Sequence, residues 1–298
     1  MSPELASGPL SHWPRPLCFV LSGGGSYGAV QVGMIRALSE LGIAPDMIIG
    51  SSVGALNGAV LAADPDNAAN RLAQIWESMT PKSIFGVDSK LGAAWTLARD
   101  GFAGKGSALC SSDALEQLII SNITVDRIEE LPVETMVVAT DLLAGRPKLF
   151  RQGPLARALL ASASIPGIFA PVKIDSVFCV DGGVTANVPI RQALAAGARS
   201  VVVLDASPAG TPGFVPRNPL EAFVQASMIM VRSQQAGATD DLANKHPIMR
   251  LPQPTPPALS VVDFGQSREL IDVGFTTTKT FLGDFAELAG PVSDSQSA

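Results

Sequence analysis

Histidine is nearly missing from this chain: His12 and His246 are the only two in 298 residues. That leaves few candidates for the imidazole base on which most serine nucleophiles rely. Cysteine is also sparse, and an odd count of three supplies no disulfide framework. Cys18 and Cys179 lie in apolar runs and read as reduced core residues. Basic charge is in deficit, with 21 Lys and Arg against 27 Asp and Glu, which argues against a nucleic-acid binder. Residues 47–63, the longest uncharged stretch worth testing as a membrane span, contain glycines and serines and fall short of the ~20 apolar residues required. The N-terminus lacks the basic-then-apolar pattern of a secretory signal, so the expectation is a soluble cytoplasmic protein.

What is present suffices for a large core, since 47% of residues are hydrophobic. No shift of composition divides the middle, so one catalytic domain is expected over 17–290, between a flexible Pro/Ser-rich lead-in (1–16) and a disordered tail (291–298). Strand-like runs at 17–21, 46–49, 135–140, 148–151, 177–180, 200–204 and 248–251 alternate with helix-like runs. The helices are expected at 29–41, 55–63, 68–78, 114–121, 155–162, 190–196, 219–243 and 265–288, the fourth opened by a capping pair of Asp113 and Glu116. The alternation predicts an α/β fold: a mostly parallel central sheet with helices on both faces, three layers in all. Glycine-rich residues 80–111 read as a cap containing a short helix.

Ligands of such sheets sit beyond the carboxyl ends of the strands. Three features are expected there. Gly50-Ser51-Ser52-Val53-Gly54 joins a strand to a helix and has the form of a nucleophile elbow, with Ser52 the exposed hydroxyl and Ser51 a turn residue. Asp181, after the apolar run 177–180, is followed by Gly182 and Gly183, which let the chain turn tightly and let another segment approach. The loop Gly23-Gly24-Gly25-Ser26-Tyr27-Gly28 follows the first strand, and its N–H groups at Gly24, Gly25 and Ser26 could hold an oxyanion. His12 lies in the lead-in and His246 at the amino end of a strand, so Asp181 is the expected base for Ser52. Asp205, at another strand end, is the rival, without the following glycines. Gly23-x-Gly25-x-x-Gly28 also fits a dinucleotide fingerprint, but the second strand ends in Gly50-Ser51-Ser52 where an acidic ribose partner belongs.

The glycine loop, the elbow and Asp181-Gly182-Gly183, in this order, resemble the motifs of the patatin-like phospholipases. The flanks 32–38, 45–46, 55–59, 161–166 and 187–189 share the likeness, which covers about residues 17–205. The resemblance implies a Ser52–Asp181 dyad, an oxyanion hole in residues 23–28, no metal and no cofactor, and cleavage of fatty-acyl esters of lipids through an acyl-enzyme. Its implied partners are a fatty-acyl ester or phospholipid substrate and, transiently, a membrane surface. Acyl transfer by the same intermediate, or a silent lipid-binding protein on the same fold, are the alternatives. Tyr27 stands where the family commonly has Arg or Lys, and is read either as packing or as lining for an acyl site.

Overall fold

The computed structural model describes residues 10–86, 108, 110–207, 226, 229, 240–253 and 264–289. Eight strands form one mixed sheet: β1 (Leu17–Leu21), β2 (Met47–Ser51), β3 (Glu134–Asp141), β4 (Arg146–Phe150), β5 (Val172–Ile174), β6 (Val177–Asp181), β7 (Ser200–Leu204) and β8 (Ile248–Arg250). Around it run α1 (Gly28–Glu40), α2 (Val53–Ala63), α3 (Ala68–Ser78), α4 (Pro81–Phe85), α5 (Asp113–Asn122), α6 (Leu155–Ser162), α7 (Gly183–Ala186), α8 (Ile190–Ala195), α9 (Asp240–Ala243) and α10 (Ser267–Ala289).

β1, β2 and β7 are buried along their whole length, as strands covered on both faces must be. Side chains alternate between two cores. Phe19, Leu21 and Ile48 face Leu38, Leu72, Trp76 and Leu159 on one side. Val20, Ile49 and Val203 meet Ala186, Ile190 and Ala193 of α7 and α8 on the other. Helices therefore cover both faces of a largely parallel sheet, the expected three layers.

The departure from parallel order positions the site. β3 is parallel to β2 over Glu134–Val138, antiparallel to β4 over Val137–Asp141, and antiparallel to β6 over Ala139–Asp141. A strand has two edges. Because β4 overlaps both of the others, β2 and β6 must share the remaining edge, meeting end to end between Val138 and Ala139.

Several expectations need correction. The helix expected at 114–121 starts at Asp113, preceded by Ser112 without a side-chain cap, so the Asp113 carboxylate sits inside the first turn, where the helix dipole favours it. β5 was not foreseen; three residues are too few to show a period. The stretch 219–243 is described only at 226, 229 and from 240 on, and most of the cap 80–111 likewise lies outside the described residues apart from α4. The lead-in is tied down from residue 10 onward. Leu10 is buried, the Pro14 carbonyl accepts from Ser200 Oγ at 2.6 Å, and Arg15 pairs with Asp46 at 2.8 Å. Leu10→Ala should therefore cost about 2–3 kcal/mol in urea unfolding, where a loose segment would give almost nothing.

Candidate active site

β2 ends at Ser51 and α2 starts at Val53, leaving Ser52 between them at φ +54°, ψ −128°. A serine held there costs about 1–3 kcal/mol of backbone strain, so its neighbours must enforce it. Gly54 is one enforcer. A Cβ on it would lie 2.4 Å from the Leu21 carbonyl and 2.5 Å from that of Ser22, so only glycine lets α2 begin against the end of β1. Ser162 is the other. Its Oγ accepts the Ser52 N–H at 2.9 Å and donates to the Val138 carbonyl at 2.5 Å. The hydroxyl bridges the two strands just beyond their last paired residues, Ser51 and Val138. Ser51 is thus the end of a strand rather than a turn residue, and its buried Oγ has no partner among the described residues.

β6 comes down β3 from the opposite direction and stops with Asp181 beside Ala139, next to the end of β2. Asp181 Oδ2 accepts the Ser52 hydroxyl at 2.5 Å, and Oδ1 accepts the Gly183 N–H at 2.7 Å. Its own N–H donates to the Ser164 carbonyl at 2.8 Å, and its carbonyl accepts from Thr140 Oγ1 at 2.9 Å. Gly182 serves close approach alone: its φ of −63° is open to any residue, but a Cβ would come within 2.2 Å of the Val138 carbonyl. The expected tight turn is instead an ordinary helical entry into α7. Asp181 is 6% exposed, and that burial raises its pKa to about 6, against the opposing pull of the Ser52 and Gly183 hydrogen bonds.

The glycine loop becomes a short 3-10 turn, Gly25–Tyr27, running into α1. Of the six loop residues, the N–H groups of Gly23, Tyr27 and Gly28 are already committed, to the carbonyls of Asn187, Gly24 and Gly25 respectively. Those of Gly24 and Gly25 have no acceptor among the described residues, which narrows the candidate oxyanion donors. Tyr27 is buried in the larger core, so its side chain is packing.

Asp205 is not the carboxylate that Ser52 Oγ bonds. It accepts from Ser22 Oγ at 3.0 Å and the Ser207 N–H at 2.9 Å, fixing the exit of β7. Both histidines lie at the opposite, amino-terminal edge of the sheet, His246 just before β8 and His12 two residues from Pro14. Sequence reasoning missed the amide chain behind the elbow. Gln31 donates to the Ser22 and Leu204 carbonyls, Asn57 to Gln31, and the Trp76 indole to Asn57, joining α1, α2 and α3. A glutamine on the apolar stripe of α1 was the available signal.

An elbow serine bonded to a buried carboxylate, at the edge of a largely parallel sheet, defines a class of α/β protein whose serine is paired without imidazole. Within that class the particular family follows from comparison: the model described as patatin-like phospholipase matches residues 19–194, and the chain belongs to that family. An NTE family protein of Mycobacterium tuberculosis is 34% identical over 231 residues, covering 75% of this chain and 57% of the relative. Lysophospholipase nte1 of Aspergillus terreus is 27% identical, covering 90% of this chain and 18% of the relative. The chain thus spans little more than half the length of the first and under a fifth of the second. Among solved structures, VipD from Legionella pneumophila aligns with 17% identity and a TM-score of 0.47, over 91% of this chain and 67% of VipD.

Ser51 and Ser162 should separate cleanly in urea titrations. Ser162→Ala orphans the Ser52 N–H and the Val138 carbonyl and should destabilise by about 1–3 kcal/mol. Ser51→Ala removes an unpaired hydroxyl and should be neutral or stabilising by up to about 1 kcal/mol.

Proposed function

We infer that the chain is a serine acyl hydrolase acting on fatty-acyl esters of lipids, with Ser52 as nucleophile and Asp181 as base. The observation that carries this reading is the 2.5 Å hydrogen bond between the elbow hydroxyl and a desolvated carboxylate. Ser52 Oγ attacks the acyl carbonyl as its proton passes to Asp181 Oδ2. The tetrahedral oxyanion is received by the N–H groups of Gly24 and Gly25. Asp181 then returns the proton to the departing alcohol, and water deacylates the serine by the same exchange. The family and the name of the fungal relative support a lipid ester as substrate.

A shallow apolar groove of about 50 Å³, partly open to solvent, supports an apolar acyl group beside the elbow. It is lined by Val53, Leu56 and Val60 of α2 with Leu72, Met79 and Ile119 opposite. Leu56 is one helical turn past Ser52, so the groove leads away from the nucleophile along its own helix.

Purified protein should hydrolyse p-nitrophenyl esters and be labelled at Ser52 by a fluorophosphonate. Ser52→Ala should lose at least ~10³-fold in kcat/KM, and equal activity in the mutant would dismiss the assignment. Leu56→Trp should shift preference toward shorter acyl chains, measured on a C4-to-C16 ester series.

Asp181 must be ionised to accept the proton, so kcat/KM should fall as pH drops through about 6. The folded pKa lies above the ordinary value of 3.8, so the folded state binds the extra proton between about 4 and 6. Stability from this group is therefore full below pH 4 and lost as pH rises through 6, by about 3 kcal/mol in all. Asp181→Asn should abolish hydrolysis while removing that pH dependence, as read by urea unfolding from pH 4 to 7.

A further inference from the structure

We propose that the β3–β4 hairpin tip and the adjoining face of β6 form a docking surface for an anionic lipid bilayer, delivering substrate to Ser52; this rests on the lipid-hydrolase reading. Large apolar side chains are normally scattered when exposed, but four gather here. Leu143 at the tip is 81% exposed, Leu142 45%, Phe178 of β6 41% and Val184 of α7 42%. Leu142 and Phe178 are neighbours by register, since the Leu142 N–H donates to the Phe178 carbonyl at 2.9 Å, and Val184 belongs to α7, which is tied to β3 by the Thr185–Thr140 hydroxyl bond at 2.8 Å.

The tip is built rather than loose. Asp141 Oδ1 accepts the N–H groups of Leu143 and Ala144, at 3.2 and 3.0 Å, and the Gly145 N–H closes on the Asp141 carbonyl at 2.9 Å. Holding two leucines in water at the end of a braced turn brings no gain in folding, since they bury little within the chain. The hairpin also points the right way. β3 continues three residues beyond Val138, its last pairing with β2, so at ~3.3 Å per residue the turn stands roughly 10 Å beyond the edge that carries Ser52.

Charge selects the partner. Arg146 and Lys148 on one face of the sheet edge, and Lys173 with Phe178 on the other, flank the tip; all three cations are exposed and engage in no ion pair among the described residues. The Lys173 ammonium lies 5.6 Å from the Phe178 ring centroid. Two carboxylates are nearby: Asp141, occupied with the turn, and Asp175 at the β5–β6 turn. Cations around exposed leucine and phenylalanine, on a chain of net charge −6, fit an anionic interface entered by short apolar side chains. Among the described residues no helix is long and apolar enough to cross a membrane, so contact through this surface would be peripheral.

The test is co-sedimentation of the full chain, carrying Ser52→Ala so that lipid is not consumed, with phosphatidylcholine vesicles with and without phosphatidylglycerol. Binding should require phosphatidylglycerol. It should weaken roughly tenfold in Leu142→Ser/Leu143→Ser and lose its dependence on anionic lipid in Lys148→Ala/Lys173→Ala. In the Ser52 background both double variants should keep soluble-ester hydrolysis and the wild-type thermal midpoint. Absence of vesicle binding, or equal binding by the leucine variant, overturns the proposal. So does wild-type self-association, abolished in the leucine variant, without vesicle binding. Vesicle binding that persists while soluble-ester hydrolysis and fluorophosphonate labelling are absent would instead sink the catalytic reading alone.

Discussion

The buried carboxylate of Asp181 is the constraint around which the site is arranged. Taking a carboxylate out of water costs several kcal/mol unless hydrogen bonds replace its hydration, and among the described residues Asp181 has two such donors, the Ser52 hydroxyl and the Gly183 N–H. The account does not balance in favour of the ion, and the pKa moves up to about 6. That imbalance is chemically useful. An aspartate in solution is a feeble base, whereas one near 6 approaches the ~6.5 of histidine while still being mostly ionised at pH 7. On the proposed reading, burial supplies what imidazole supplies elsewhere, which gives physical sense to a site assembled from a chain with two distant histidines.

Delivering that carboxylate is a topological problem. In a wholly parallel sheet, neighbouring strand ends stand about 4.8 Å apart side by side, and a short aspartate must reach across. Here β6 reverses direction and arrives along the edge β2 has just vacated, so its last residue abuts the elbow head-on. The junction needs a spacer and a gap. Ser162 is the spacer, and its carbonyl also accepts the Gly182 N–H at 3.1 Å; the missing side chain of Gly182 is the gap. Strain at Ser52 is held by the same contacts that orient Asp181, so the hydroxyl and the carboxylate are mutually dependent.

Much of this was legible before any coordinates. Central strands such as 200–204 are apolar after their first residue, Ser200, and α3 and α6 carry strong helical periodicity, so their limits agree with the structure to the residue. Gly182 announced a close approach that a Cβ would block, and Gly54, read only as part of the elbow, proves to need one as well. The direction of β6 was not legible, because a five-residue strand reads alike either way, and Asp181 was expected at a parallel strand's carboxyl end. Nor does a serine inside an Ala-Ser-Ala-Ser run declare that its hydroxyl bridges two strands. Which loop N–H groups remain open was also hidden, since Gly23 loses its own to Asn187, more than 160 residues away in sequence. The upward shift of Asp181 depends on enclosure by several distant segments and leaves no local trace.

β3 links these features to the exposed apolar tip. Its first five residues pair with β2, its next three receive β6, and its turn presents Leu142 and Leu143. A bilayer resting on that turn would meet the same strand that sets the distance between Ser52 and Asp181. The short bracing bonds at Asp141 make the hairpin a stiff spacer rather than a hinge, which suits a site whose chemistry depends on excluded water. A stiff spacer fixes how far the nucleophile stands from the interface. An ester bond must then rise out of the lipid to meet it, while the apolar groove along α2 offers the acyl chain an alternative to the membrane it leaves. The energetic difficulty of extracting a chain would thereby be confined to the gap between two apolar surfaces.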